Sequence, residues 1–152
     1  EEVETETPLL CLGRRFIADS GGGGRWRGGM GEEIVMTTAP DADVDVSKTL
    51  LVSGAGGRLR YPPEGLFGGN PGSRAEIFIN GEPLAEQSWS GTGSVEFRIR
   101  AEDTVTLRFP GGGGFGDPSE RDPTLVQEDL RNGYITLQAA ETLYGYRPGR
   151  DD

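Results

Sequence analysis

The stretch Phe109-Pro110-Gly111-Gly112-Gly113-Gly114-Phe115-Gly116-Asp117-Pro118 divides the chain into two parts of different character. Upstream lie short apolar runs separated by Gly and Pro; downstream lie two segments with helical spacing and caps. Consecutive glycines offer backbone without Cβ, suited to φ > 0, a tight turn, or close approach by another backbone or a ligand. Ordering them costs conformational entropy, so something must pack on the loop, from this chain or from a partner subunit. Val105-Thr106-Leu107-Arg108-Phe109 alternates apolar and polar residues as it enters the loop, and Val95-Glu96-Phe97-Arg98-Ile99-Arg100 alternates strictly. With Ala101-Glu102-Asp103 as a turn, these two half-exposed strands are expected to pair with each other, antiparallel.

Further upstream, Leu9-Leu10-Cys11-Leu12 and Phe16-Ile17 read as one strand with an irregularity at Gly13 and a buried thiol at Cys11. Glu33 to Thr38 and Val44 to Val52 carry β-branched residues and read as strands. The acidic link Asp41-Ala42-Asp43-Val44-Asp45 places Val where a calcium loop needs Gly and Glu, so it reads as a solvated turn. Tyr61 to Gly72 holds too many Pro and Gly for helix or central strand; it reads as an ordered extended loop anchored by Leu66-Phe67. Arg74 to Ile79 is a strand, and Asn80-Gly81 is a hairpin turn whose return arm is cut short at Pro83. Downstream, Asp122-Pro123 caps a short helix with Leu125, Val126 and Leu130 as its stripe, ended by Asn132-Gly133. Thr136 caps a second, with Leu137, Ala140, Leu143 and Tyr144 on one side and Gly145 as its stop. The fold class is therefore mainly β: an antiparallel, loop-rich domain, sandwich- or barrel-like, with two short C-terminal helices. The expected division is a β domain over 1–118 and a helical pair with tail over 119–152, packed on the same unit.

Composition limits the chemistry. The 152 residues carry a net charge of -10, and only 34% are hydrophobic against 26 Gly and 10 Pro, so the isolated chain is expected to be marginal or to associate. The acidity argues against nucleic acid and anionic membranes, and no apolar run is long enough to span a bilayer. One cysteine fits a reducing compartment, and the expected localisation is the cytoplasm. Histidine is absent, which removes the usual zinc sites and any Ser-His or Cys-His pair. Arg25-Trp26-Arg27 could offer a cation–π platform for an anion or base, but the acidity favours a Trp packed on a sheet. Gly111-x-Gly113-x-x-Gly116 matches a dinucleotide pattern, yet Asp117-Pro118 intervenes where the helix should begin, and no Gly-Lys-Ser/Thr follows. Gly111, Gly112, Gly113 and Gly114 thus remain weak candidates for a cofactor, and no catalytic or metal-binding residue is assigned.

Three motifs stand in a telling order: Asp19-Ser20-Gly21-Gly22-Gly23-Gly24-Arg25-Trp26-Arg27-Gly28-Gly29, then Pro63-x-Gly65-Leu66-Phe67-Gly68-Gly69-x-Pro71-Gly72, then Pro110 to Pro118 with Glu120-Arg121-Asp122-Pro123. In this the chain resembles the C-terminal portion of the hydantoinase B family, which includes large subunits of N-methylhydantoinase, oxoprolinase and acetone or acetophenone carboxylases. Phe115 stands where the family pattern suggests Tyr. A chain of this size is similar to a small subunit of a ketone carboxylase of that family. The resemblance implies a structural subunit of an ATP-dependent complex that converts acetophenone and bicarbonate to benzoylacetate. A hydantoinase or oxoprolinase fragment acting on a cyclic amide, and a β-rich interaction module, are the alternatives. It further implies hydantoinase A-like and B-like large subunits as partners, and ATP with a divalent metal in the complex, with no cofactor bound by this chain alone. Arg25, Trp26, Arg27, Tyr61, Leu66, Phe67 and Phe115 are then the candidates for the partner interface.

Overall fold

Strict alternation over Val95–Ile99 buries Val95, Phe97 and Ile99 and leaves Glu96, Arg98 and Arg100 exposed in the computed structural model, which describes residues 7–39, 50–55, 58–85 and 94–147. Seven strands run β1 (Leu9–Ile17), β2 (Gly31–Thr38), β3 (Leu50–Ala55), β4 (Glu76–Ile79), β5 (Glu82–Pro83), β6 (Ser94–Ile99) and β7 (Val105–Phe109). Two helices follow, α1 (Pro123–Arg131) and α2 (Leu137–Tyr144). The strands form a five-stranded sheet in the order β1-β2-β7-β4-β5 and a two-stranded sheet of β3 and β6. The architecture is mainly β, mostly antiparallel, with no closed barrel among the described residues. The segments 1–6, 40–49 and 148–152, which include the acidic lead-in, the Asp41–Asp45 link and most of the polar tail, lie outside the described residues.

The expected pairing of β6 with β7 is not what forms. β6 pairs antiparallel with β3, Phe97 opposite Val52, and β7 pairs antiparallel with β4, Leu107 opposite Ile77. Alternation fixes which face a strand buries but not its neighbour, and residues of both sheets bury their apolar faces in one core of Leu59, Val95, Phe97, Ile99 and Val105. The intervening residues form an arch between the sheets. Asp103 Oδ2 accepts from the Arg100 backbone N–H at 2.7 Å, and Asp103 Oδ1 accepts from Asn80 Nδ2 at 2.7 Å. These bonds hold the Asp103 carboxyl below its ordinary range, the Arg100 N–H being the larger cause. Asn80 and Gly81 both have positive φ, 53° and 84°, as a two-residue hairpin between β4 and β5 demands, and β5 ends at Pro83 as expected.

The chain divides into two compact units: residues 1–15, 33–61 and 75–109, and residues 16–32, 62–74 and 110–152. The expected boundary at 118 falls inside the second unit. Cys11 is exposed, against expectation, because β1 is an edge strand whose central residues are uncovered, Leu12 and Phe16 included. The helices begin and end where their caps dictate. Asp122 accepts from the Thr124 N–H at 2.8 Å, Thr136 Oγ1 accepts from the Ala139 N–H at 3.2 Å, and Gly145 stops α2 at φ 65°. Their apolar faces meet over Val126, Ile135 and Ala140, with Leu130 and Tyr144 packed against them; Leu137, expected on that face, is exposed.

Candidate functional site

Three extended segments of the second unit, around 20–29, 63–72 and 110–116, are joined by backbone hydrogen bonds without forming a ladder. Gly22 N–H donates to Gly112 O at 2.9 Å, and Gly112 N–H donates to Gly29 O at 2.9 Å. Gly114 N–H donates to Asn70 O and Leu66 N–H to Gly114 O, both at 2.9 Å, and Asn70 N–H reaches Gly23 O at 2.7 Å. The glycines are required by proximity. A Cβ on Gly28 would overlap the Gly112 carbonyl, one on Gly113 the Glu64 carbonyl, and one on Gly114 the Gly23 carbonyl. None of Gly111 to Gly114 has positive φ, so close approach, not a left-handed turn, is what excludes a side chain at Gly111, Gly113 and Gly114. The N–H groups of Gly111, Gly112 and Gly114 are engaged by Ser73 Oγ, Gly29 O and Asn70 O.

Phe115 is where the three segments are stitched at one end. Trp26 and Phe115 exchange N–H···O bonds of 2.9 Å, and Gly116 N–H donates to Leu66 O at 2.9 Å. The side chains of Trp26, Leu66, Phe67 and Phe115 are all exposed, Phe67 at 80% of its surface. The Phe67 and Phe115 rings lie 5.0 Å apart, tilted by 54°. Phe67 has φ 52°, a left-handed backbone that an aromatic residue rarely adopts. The 62–72 loop is ordered as expected, but its anchors are main-chain bonds such as Gly72 N–H to Pro63 O at 2.9 Å, not the exposed Leu66 and Phe67. Trp26 is exposed and is not packed on a sheet as expected. Tyr61, also exposed, belongs to the first unit.

Arg25 and Arg27 part company. Arg25 stays exposed, 3.8 Å from Glu120, whereas Arg27 turns inward to the second unit's interior. Arg27 Nε donates to Asp129 Oδ2 at 3.0 Å and Arg121 Nη2 to the same oxygen at 2.7 Å, with all three side chains largely buried. The Arg27 guanidinium lies 5.5 Å from the Tyr134 ring centre and that of Arg121 lies 5.7 Å from Tyr144, so each cation also meets an aromatic face. Burial pushes the Tyr144 hydroxyl above its ordinary range. Sequence reasoning missed Asp129 and Tyr134, and had Arg121 only as part of a motif and Tyr144 only as part of a helical stripe. The available signal was Asp129 itself, an acidic residue three positions after Val126, on the apolar face of α1.

A second charged group lies in the first unit. Buried Glu33 accepts from Arg108 Nε at 2.8 Å and from Arg15 Nη2 at 2.6 Å, while Arg108 Nη1 reaches Glu76 at 3.2 Å and its guanidinium covers the Phe78 ring at 4.9 Å. The Arg108 hydrogen bond is the main reason the Glu33 carboxyl is held below the ordinary range. Beside it lies an open hollow of about 410 Å³ lined by Leu12, Gly13, Arg14, Arg15, Glu33 and Val35. Among the described residues no group of three His, Cys, Asp or Glu is placed to hold a metal ion, and no helix is long and apolar enough to cross a membrane.

Residues 1–118 match the model of the family described as hydantoinase B/oxoprolinase. Acetophenone carboxylase delta subunit from Aromatoleum aromaticum is 32% identical, over 95% of this chain and 24% of its own length. The nucleotide-free structure of acetone carboxylase superposes on 97% of this chain and 23% of its own, with a TM-score of 0.66 and 24% identity. The ATP-dependent caprolactamase of Pseudomonas jessenii superposes on 98% of this chain and 25% of its own, with a TM-score of 0.71 and 23% identity. The chain thus spans about a quarter of the length of the curated relatives it matches.

Proposed function

The chain belongs to the hydantoinase B/oxoprolinase family, and from that premise we propose that it is a non-catalytic structural subunit of an ATP-dependent acetophenone carboxylase. The complex would join acetophenone and bicarbonate to give benzoylacetate as ATP is hydrolysed. The observation that carries this reading is the weave: the conspicuous glycines are consumed in holding three backbone segments together, with the N–H groups of Gly111, Gly112 and Gly114 already bonded. With those N–H groups engaged, the loop is poorly suited to cradle a phosphate. In this reading ATP and its divalent metal belong to hydantoinase A-like and B-like large subunits. The identity to an acetophenone carboxylase subunit supports the choice of ketone.

Hydrolysis of a cyclic amide is the second reading, supported by 29% identity to caprolactamase subunit beta of Pseudomonas jessenii over 95% of this chain. Reconstitution with and without the chain separates them. Acetophenone-dependent ATP hydrolysis with bicarbonate incorporation is expected when the chain is present, and loss of assembly and turnover together when it is omitted. Turnover with a cyclic amide in place of the ketone selects the second reading. A single carboxylate replacement that leaves assembly intact but removes turnover overturns the structural role.

A further inference from the structure

Resting on the structural-subunit reading, we propose that Trp26, Leu66, Phe67 and Phe115 form one docking face, and that its occupant is the hydantoinase B-like framework. That framework is the part of the relatives' chains, about three quarters, that lies outside the match to this one. Three features single this face out. First, backbone bridges join Trp26 and Leu66 to Phe115, and the Phe115 ring lies 5.0 Å from that of Phe67, which gathers the four residues at one end of the weave. Second, Phe67 combines φ 52° with 80% exposure, so a strained backbone presents an apolar residue whose ring meets only the edge of the exposed face, at Phe115. Glycine or asparagine would satisfy that backbone better in a chain with no partner to meet. Third, Arg27 is withdrawn to Asp129, leaving Asp117 and the Arg25–Glu120 pair as charge around the face, the pattern of an apolar interface core with a polar rim. Leu12 and Phe16 on β1 are also exposed, but Arg14 and Arg15 stand between them and no backbone strain presents them.

The occupant follows from the family match. All four residues lie within 1–118, and in the relatives the matching quarter is continuous with the remaining framework of the same polypeptide.

The test uses the full chain in complex with the intact hydantoinase A-like and B-like large subunits, docking being read by co-purification and by oxidative footprinting of Trp26, one of two tryptophans in the chain. A complex is expected in which Trp26 is protected from oxidation, because its indole leaves water. Phe67→Asn should keep or raise the isolated chain's unfolding midpoint, because asparagine tolerates positive φ, yet weaken docking about tenfold or more. Phe16→Thr on β1 should leave docking within about twofold, as a substitution outside the interface does. Wild-type docking with Phe67→Asn, a loss confined to Phe16→Thr, or docking on a hydantoinase A-like subunit in place of the framework each overturns the face while leaving the structural-subunit reading standing. A framework that the wild-type chain never binds overturns the face, and if omitting the chain also leaves turnover intact in reconstitution, the underlying reading falls with it.

Discussion

The two units are held by opposite means. In the first, side chains of alternating strands meet in a core of Leu59, Val95, Phe97, Ile99 and Val105, and the backbone only frames them. In the glycine-rich part of the second, the backbones themselves are the packing surface, and the large side chains near Phe115 point outward. Sensitivity to mutation should therefore invert: deleting bulk harms the sandwich, while adding bulk harms the weave.

The largest effect is expected at Gly113→Val. A branched side chain there would overlap the Glu64 carbonyl, and backbone on both sides leaves little room to yield, so a loss of about 4 kcal/mol or more is expected in denaturant unfolding. Full assembly of this variant with lost ATP turnover would instead place the loop at a nucleotide. In the sandwich, Ile99→Ala should cost about 3 kcal/mol, since Ile99 is fully buried and its removal leaves a cavity. Asp129→Asn should cost about 3 kcal/mol, because Arg27 and Arg121 would keep their burial and lose the carboxylate they share. Thr136→Ala, which removes the α2 cap and its bond to Asp19 Oδ2 at 2.8 Å, should cost about 1 kcal/mol, read as a lower unfolding midpoint.

Acid gives the smallest expected effect. Glu33 titrates below its ordinary value when folded, so its contribution is complete above the ordinary glutamate range and is lost as pH falls through the folded value. Arg15 is largely solvated and Arg108 more than a third exposed, so screening should keep this contribution under about 1 kcal/mol. Glu33→Gln should flatten the fall in unfolding midpoint between neutral and acid pH. An unchanged acid profile would remove Glu33 from the account.

How much was legible follows the same division. The helix caps, the Asn80-Gly81 turn and the alternation in β6 were readable because each is settled by residues within a few positions of one another. Strand partnership was not: β6 and β7 carry the signal for a buried face, but the choice of β3 and β4 as neighbours depends on closing both sheets over one core. Cys11 misled because an apolar run also occurs on an uncovered edge strand. The glycine motifs were visible as punctuation, and their order carried the family resemblance, yet their mutual hydrogen bonding joins residues up to about ninety positions apart, as between Gly22 and Gly112. Arg27 looked like surface in Arg25-Trp26-Arg27; only the distant Asp129 draws it in.

The central claim, that close backbone approach specifies the weave, is tested most directly at two adjacent glycines. A Cβ on Gly28 would overlap the Gly112 carbonyl, whereas a Cβ on Gly29 meets nothing within 4 Å, and neither glycine has positive φ. Equilibrium denaturant unfolding of Gly28→Ala and Gly29→Ala, each against the wild-type chain, compares them. The account predicts that Gly28→Ala loses about 3 kcal/mol or more through overpacking, while Gly29→Ala is neutral or gains up to about 1 kcal/mol from a less disordered unfolded state. Equal tolerance of the two alanines would contradict it.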